Sequence, residues 1–415
     1  MKLQKKIVPQ LRRSCADISY IWRKEYKMVF GDTGVLVFFF LLTLAYPILY
    51  AAIYNPEVVR DVPMVVVDDS RCALSRHLVR ALDASPNVQV ISYCANMAEA
   101  RQMMMKGTCY GILYIPQEFD KSIVRGQQGV VEFYSDMSLL IYYKNFLMAL
   151  TDVTMELGEE IRAKSLPIGV SQSLTDIASN PIPYGSVAMY NPESGFASFL
   201  IPAVVVLVLQ QSIILGLGML AGGIKEENTL HLYYDGREHV HNSVVHLIVG
   251  KALCYGSLYI FNIVYLFHFI PWLFGYPRLG NPWEIYIFTI PLLFSSIFLG
   301  MTLSGLVRER EASFLLFVFT SVVFIFLSGI VWPRYAMPVA WRWLGSLIPS
   351  TWGVEGFVQM NTTGASLRQV ARPYVALWIL TAVYFITAYA TYRHWISRDK
   401  ELGNRGVMDA LYEEE

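Results

Sequence analysis

Residues 196–220 read FASFLIPAVVVLVLQQSIILGLGML and carry no charge from end to end. A helix of about 20 apolar residues, rising about 1.5 Å each, crosses the hydrocarbon core of a bilayer, so this stretch reads as a membrane span. The same measure finds five more. Val35–Tyr54, around Phe38-Phe39-Phe40-Leu41-Leu42, precedes it, and Cys254–Ile270, Ile285–Leu306, Ser313–Val331 and Tyr374–Tyr392 follow. One span therefore stands alone, residues 55–195 are mostly polar, and five spans crowd between 196 and 394. That spacing predicts a polytopic α-helical membrane protein with six transmembrane helices and an α/β domain between helices 1 and 2. Composition agrees, with 54% apolar residues, 16% charged residues and a mean hydropathy of +0.40, values that a soluble domain of this length seldom reaches.

Charge distribution sets the expected orientation, because Lys and Arg beside spans stay on the cytoplasmic side. Lys2, Lys5, Lys6, Arg12, Arg13, Arg23, Lys24 and Lys27 precede the first span. The N-terminus is expected in the cytosol, and six crossings return Arg393, Arg398, Lys400 and Arg405 to the same side. Residues 55–195 then lie outside. Arg334, Arg342, Arg368 and Arg372 in the last external stretch run against this rule, and the N-terminal cluster outweighs them. About 30 polar residues precede the first span without a small-residue cleavage site after it, so it is expected to stay rather than serve as a cleaved signal.

Within residues 55–195, β-branched runs alternate with helical ones. Val62–Val67, Val88–Tyr93, Tyr110–Ile115 and Val130–Tyr134 read as strands, Leu74–Leu82 and Ala95–Lys106 as helices, and 138–165 as a long helix, an α/β pattern. Residues 166–194, with Pro167, Pro181, Pro183 and Pro192, read as a loop descending to the second span. Asp68 and Asp69 follow the first strand, where α/β folds place ligand groups; capping of the helix from Ser70 is the plainer role. Cys72, Cys94 and Cys109 permit one bridge or three buried thiols, and no pair of cysteines has metal-ligand spacing.

Residues 1–33 form a helical pattern in which Leu11, Cys15, Ile18, Trp22 and Val29 recur on one face and the basic residues fall largely elsewhere. Such a helix suits the inner membrane surface, or contact with a cytosolic partner. The span centres hold no Asp, Glu, Lys or Arg, which disfavours an ion relay, since such charges are costly there and retained for function. Gln210, Gln211, Asn262 and His268 are the polar groups available. The first three are possible path-lining residues or interhelical bonds, and His268 falls near the outer interface. Energy is therefore expected from outside the membrane.

Gly250-Lys251-Ala252 lacks the Gly and Ser or Thr of a phosphate-cradling loop, so no nucleotide site or catalytic centre is expected on this chain. Glu309 and Glu311 alternate with Arg308 and Arg310, which suggests local ion pairing. His231, His239, His241 and His246, with Glu238, match no zinc spacing, and no metal is expected.

Two stretches carry a family resemblance. Lys225-Glu226-Glu227-Asn228-Thr229-Leu230 with Val249-Gly250-Lys251 resembles the coupling loop of ATP-binding-cassette permeases of the type-two exporter class, although Glu227-Asn228 replaces the usual Glu-Gly. Leu327-Ser328-Gly329-Ile330-Val331-Trp332-Pro333, Met337-Pro338, Leu347-Ile348-Pro349-Ser350-Thr351-Trp352 and Glu355-Gly356 are similar to the signature between that family's last two spans. The layout looks most like the subgroup with a large periplasmic insert after the first helix, associated with multidrug or small-molecule efflux.

The resemblance implies that residues 224–242 rest on a separate ATPase subunit and that Lys225, Glu226, Glu227, Thr229, Leu230, Gly250 and Lys251 couple to it. It implies an outer gate of Gly329, Pro333, Pro338, Pro349, Thr351, Trp352 and Glu355. The prolines and the Trp-rich amphipathic pieces of 332–359 agree, since they rule out one regular helix and suit short interfacial ones.

The expected organisation is a cytosolic helix over 1–33, helix 1 over 34–54, the extracytoplasmic domain over 55–195, helices 2–6 over 196–394 and a tail over 395–415. Residues 221–246 form the coupling loop and 332–373 an outer re-entrant segment. The expected function is the permease subunit of an ATP-driven exporter of a small or lipid-like molecule. A receptor or scaffold working through the α/β domain is the alternative. Expected partners are the cytosolic ATPase, which would hold ATP and Mg, a second permease copy, membrane lipid and a periplasmic adaptor. The bacterial inner membrane is the expected location, no nucleic acid is expected, and the aromatic spans permit an apolar cargo without selecting one.

Overall fold

The computed structural model describes residues 2–165, 189–192, 194–227 and 244–413. These divide into two compact units, Met1–Glu57 with Ala188–Glu415, and Val58–Val187. Most of the Pro-rich stretch over 166–194, together with Asn228, Thr229, Leu230, His231, Glu238, His239 and His241, lies outside the described residues.

The smaller unit is a four-stranded sheet of β1 (Val62–Asp68), β2 (Val88–Tyr93), β3 (Gly111–Ile115) and β4 (Glu132–Ser135), in the order β2-β1-β3-β4. The central strand β1 pairs in parallel with β2 and β3, while β4 closes the edge antiparallel to β3. A strand covered on both faces needs apolar residues at every position rather than alternate ones. The run Met64-Val65-Val66-Val67 meets that need, and all four are buried.

Met64 and Val66 pack with Leu78, Leu82, Phe146 and Val153, whereas Val65 and Val67 pack with Ala100, Cys109 and Ile112. The first layer comes from α3 (Ala73–Asp83) and α6 (Leu140–Ser165), the second from α4 (Met97–Met105). A short α5 (Phe119–Val124) had no periodic signal in the sequence; Phe119 ties it to the first layer.

Asp68 is consumed by its own turn. Its Oδ1 accepts from the Ser70 and Arg71 amides at 3.1 and 2.9 Å, its Oδ2 accepts from Ser75 Oγ at 2.7 Å, and Asp69 accepts from the Tyr114 hydroxyl. The N-cap of α3 is Cys72 rather than either aspartate. All five cysteines are free thiols, Cys94 and Cys109 buried and Cys72 half-buried. Burial, then the neighbouring Cys94, pushes the Cys109 thiol up to about 11.

The larger unit begins with α1 (Lys2–Gly31) and continues as α2 (Thr33–Ile53), α7 (Phe196–Glu226), α8 (Val244–Leu273) and α9 (Pro282–Leu303), then α10 (Ala312–Leu327), α11 (Val339–Ser346), α12 (Pro349–Thr363) and α13 (Ala371–Glu413). Helices α2, α7, α8, α9 and the Ala371–Arg398 part of α13 are long and apolar enough to cross a membrane. The sixth expected span, over 313–331, is shorter than its apolar run. α10 has 16 residues, which rise about 24 Å. It ends because Gly329 takes the left-handed φ of +92° and Pro333 follows, so the helix stops before its apolar run does.

α7 is the most enclosed span, 94% buried over its apolar window. Lipid tails are as apolar as side chains, so close packing at small residues holds such helices together. A Cβ at Gly216 would meet the Phe39 ring of α2 at 2.0 Å. Phe39 lies in a π-turn, Val37–Leu42, whose widened ladder leaves a carbonyl to be satisfied from elsewhere. Asn262 Nδ2 of α8 donates to Phe39 O at 2.9 Å.

Candidate functional site

The two sequence stretches singled out for coupling and gating lie toward opposite ends of α7, and each is a meeting of helix termini. At its C-terminal end, Lys225 Nζ donates to the carbonyls of Ser304 at 3.1 Å and Gly305 at 3.2 Å, and to that of Val307. These carbonyls lie in the turn just past the end of α9, beside the negative pole of that helix, and a cation is a natural partner for them. The ammonium also sits 4.6 Å over the Trp395 ring.

One residue further on, Glu226 accepts from the Arg310 amide at 2.9 Å. The Arg310 guanidinium reaches Asp32 Oδ2 at 2.8 Å, with Glu226 and Glu227 each at 3.9 Å. Asp32 in turn caps α2 by accepting from the Val35 amide at 3.2 Å. Arg310 therefore pins the end of α7, the start of α2 and the α9–α10 connection together. The local pairing expected among Glu309, Glu311 and the adjacent arginines is replaced by this longer-range set. Side chains at Gly222 and Gly223 would forbid it, because each Cβ would fall 2.7 Å from Arg310 atoms.

Gly250 and Lys251 lie inside α8 and face α1. A Cβ on Gly250 would meet Ile21 at 2.7 Å. Lys251, 3% exposed, ion-pairs with Glu25, which is 0% exposed and also accepts from the Tyr255 hydroxyl at 2.7 Å. Asp17 stands 3.5 Å from His246, and Tyr26 and Trp22 both reach Ser257 Oγ, at 2.7 and 3.4 Å. The helix expected to lie on a membrane surface is thus clasped to α8 along Asp17, Ile21, Glu25 and Val29, all buried. Lys251 is closed to direct contact with another protein and instead fixes α1.

At the other end, Pro349 opens α12 and Gln210 Oε1 of α7 accepts from the Ser350 amide at 2.7 Å. Thr351 Oγ1 donates to Leu327 O, the last residue of α10, at 3.5 Å, and Trp352 Nε1 donates to Ser346 O, the last residue of α11, at 2.8 Å. The Pro-Ser-Thr-Trp run is therefore a capping device that joins three helix ends. Pro333 and Pro338 begin the short helical pieces between them. Glu355 ion-pairs with Arg334, whose guanidinium lies 4.3 Å over the Trp352 ring and donates to Ser346 Oγ at 2.9 Å.

Residues 33–390 match a family model described as ABC-2 family transporter protein. The chain belongs to that family. It is also similar to ABC transporter G family member 20 of Dictyostelium discoideum, 23% identical over 294 residues, which cover 69% of this chain. The chain spans 39% of the length of that relative. Membership and the apolar helices make it a multi-pass membrane protein of the transporter class.

In this ABC-2 family protein the three intramembrane amides all bond neighbouring helices. Gln210 joins α7 to α12 and Asn262 joins α8 to α2, as above. Gln211 Oε1 accepts from Thr320 of α10 at 3.4 Å and borders a cavity of about 260 Å³ lined also by Tyr46, Tyr50, Val208 and Phe317. Of the three, only Gln211 faces open space. Asp17, Glu25 and Asp32 were not singled out in the sequence, and Arg310 was noted there only for local pairing with its neighbours. The available signal was that Asp17 and Glu25 recur on the same stripe as Ile21 and Val29, an acidic insertion into an apolar face. Among the described residues no group of His, Cys, Asp and Glu has metal-holding geometry.

Proposed function

We propose that the chain is the transmembrane permease subunit of an ATP-driven exporter, worked by a separate cytosolic ATPase subunit and assembled as two permease copies with two ATPases. The observation that carries this reading is the Arg310 node. It lies at the C-terminal end of α7, next in sequence to residues 228–243, and it links that end to α2 and to the α9–α10 connection through Asp32, Glu226 and Glu227. A push delivered to the 224–242 loop enters three helices at once, which is what transmission of a closure needs. Lys225, Glu226 and Glu227 act at the node itself. Thr229 and Leu230 act on the ATPase, and Gly250 and Lys251 carry the motion to α1.

In this reading the N-terminal cluster of basic residues holds α1 and the C-terminal tail in the cytosol of a bacterium's inner membrane. The α/β unit then lies in the periplasm, where an adaptor would meet it. The α10–α12 capping network forms the outer gate, and Gln211 lines the path. The cargo is a small or lipid-like molecule.

The test is copurification of the full chain with a cytosolic nucleotide-binding protein, and loss of that contact when residues 226–230 are replaced by Gly-Ser. Absence of any ATP-responsive partner would defeat the proposal.

A further inference from the structure

Four arginines, Arg334, Arg342, Arg368 and Arg372, oppose the orientation set by the N-terminus, and three of them converge on one cavity. Arg334, Arg342 and Arg372 line a space of about 620 Å³ between the start of α7, the α10–α12 network and the start of α13. The size suits a small ligand or the head of a larger one. Its other wall is apolar, formed by Phe199, Ala203, Ile330, Val354 and Val358.

The charges in this space do not balance. Glu355 is its single carboxylate, and Arg334 already takes it. Arg334 is further held by Ser346 and by the Trp352 ring, so it is fixed in place. Arg372 stands 5.7 Å over the same Trp352 ring, and neither Arg342 nor Arg372 pairs with a carboxylate among the described residues. Two exposed guanidiniums thus face a cavity whose opposite side is hydrocarbon. A planar guanidinium fork matches the oxygens of a phosphate in pairs, and an apolar wall alongside selects a chain attached to it.

We propose that this cavity binds an anionic amphiphile, a phosphate-type headgroup on Arg342 and Arg372 with its alkyl part against Phe199, Ile330 and Val358. The proposal deepens the export reading by giving the proposed outer gate a ligand class, but binding here needs neither nucleotide nor ATPase. The arginines at this end are site residues, and the charge rule for orientation is to be counted without them.

The experiment is calorimetric titration of the full chain in phosphatidylcholine nanodiscs with dodecyl phosphate, without nucleotide. Saturable binding is expected, weakened roughly tenfold or more in the R342Q/R372Q double variant. It is expected to be unchanged in R368Q, whose residue does not line the cavity. The single R342Q, at an exposed position of α11, gives an intermediate loss and stands in if the double variant misfolds. Equal binding by the double variant would overturn the proposal, as would dodecyl maltoside displacing dodecyl phosphate at matched concentration. Inorganic phosphate binding as tightly as dodecyl phosphate would overturn the amphiphile assignment in favour of a free anion. Failure of this titration leaves the ATPase copurification test untouched, and the reverse holds equally.

Discussion

Lys251 and Glu25 are both within a few per cent of full burial, and at that depth a charge survives only against its opposite. Removing one leaves the other uncompensated. K251M or E25L alone is expected to cost about 3–5 kcal/mol, whereas the two combined, which remove both charges at similar volume, are expected to recover most of that loss. Thermal unfolding of the four proteins in the cycle measures it; additive losses would mean that the pair is not coupled. The thiols of the α/β unit offer a second check. Cys109 is buried and held protonated up to about 11, while Cys15 is exposed and Cys72 half-buried. Maleimide at neutral pH is expected to modify Cys15 and Cys72 well before Cys109, read by mass spectrometry of the native protein. Because the Cys109 value is raised on folding, its contribution is complete below the ordinary thiol range and is lost as pH climbs through about 11. Alkaline titration of the α/β unit's unfolding therefore shows a decline there that C109A lacks.

Helices in this chain are stopped and joined by particular side chains, and those joints are the sensitive places. Gln210 supplies the acceptor for the Ser350 amide at the buried start of α12. Q210L strands that donor and is expected to cost about 1–3 kcal/mol, measured as a fall in midpoint temperature. G250V drives branched atoms into Ile21 and is expected to raise amide exchange over residues 14–31 on the order of tenfold as α1 opens locally, with the α/β unit unaffected. The elements themselves were largely legible. Val62–Val67 announced a strand, Val88–Tyr93 matched to the residue, and the span positions followed from length and apolarity. The end of α10 was not legible from apolarity, because Ile330 and Val331 continue the hydrophobic run while the backbone at Gly329 has already turned. Nor was the clasp of α1. Periodicity locates a helical face, but what covers that face is set by Asp17, Glu25, His246 and Lys251, which lie far apart in sequence.

Across the molecule, the sequence motifs do not show which residues outside them tie their segments to the bundle. Glu226 and Pro349-Ser350-Thr351-Trp352 stood out as family features, and Arg310 and Gln210 stood out as charged and polar groups, but nothing in the sequence pairs Arg310 with Glu226 or Gln210 with Ser350. R310A is expected to keep the fold, since its guanidinium is partly exposed, and to uncouple the two subunits. An ATPase that still copurifies would lose several-fold of the stimulation given by the wild-type permease in nanodiscs, as an interaction of about 1 kcal/mol or more would require. Unchanged stimulation would remove the node from the coupling route. Topology is checked separately by a reporter inserted at Gln127 in the α/β unit and another before Ser14, which are expected to report opposite sides of the membrane.

The Glu25–Lys251 pair also constrains the order in which the protein can be made. The two residues are 226 positions apart, so at about 5–20 residues per second Glu25 leaves the ribosome roughly ten to forty-five seconds before its partner exists. Until then its carboxylate lacks Lys251 and stays hydrated, and α1 has to wait outside the lipid. The N-terminal helix is therefore synthesised first and docked late, after α8 has been threaded. A chain stalled before residue 251 would expose α1 to proteases that the finished protein resists.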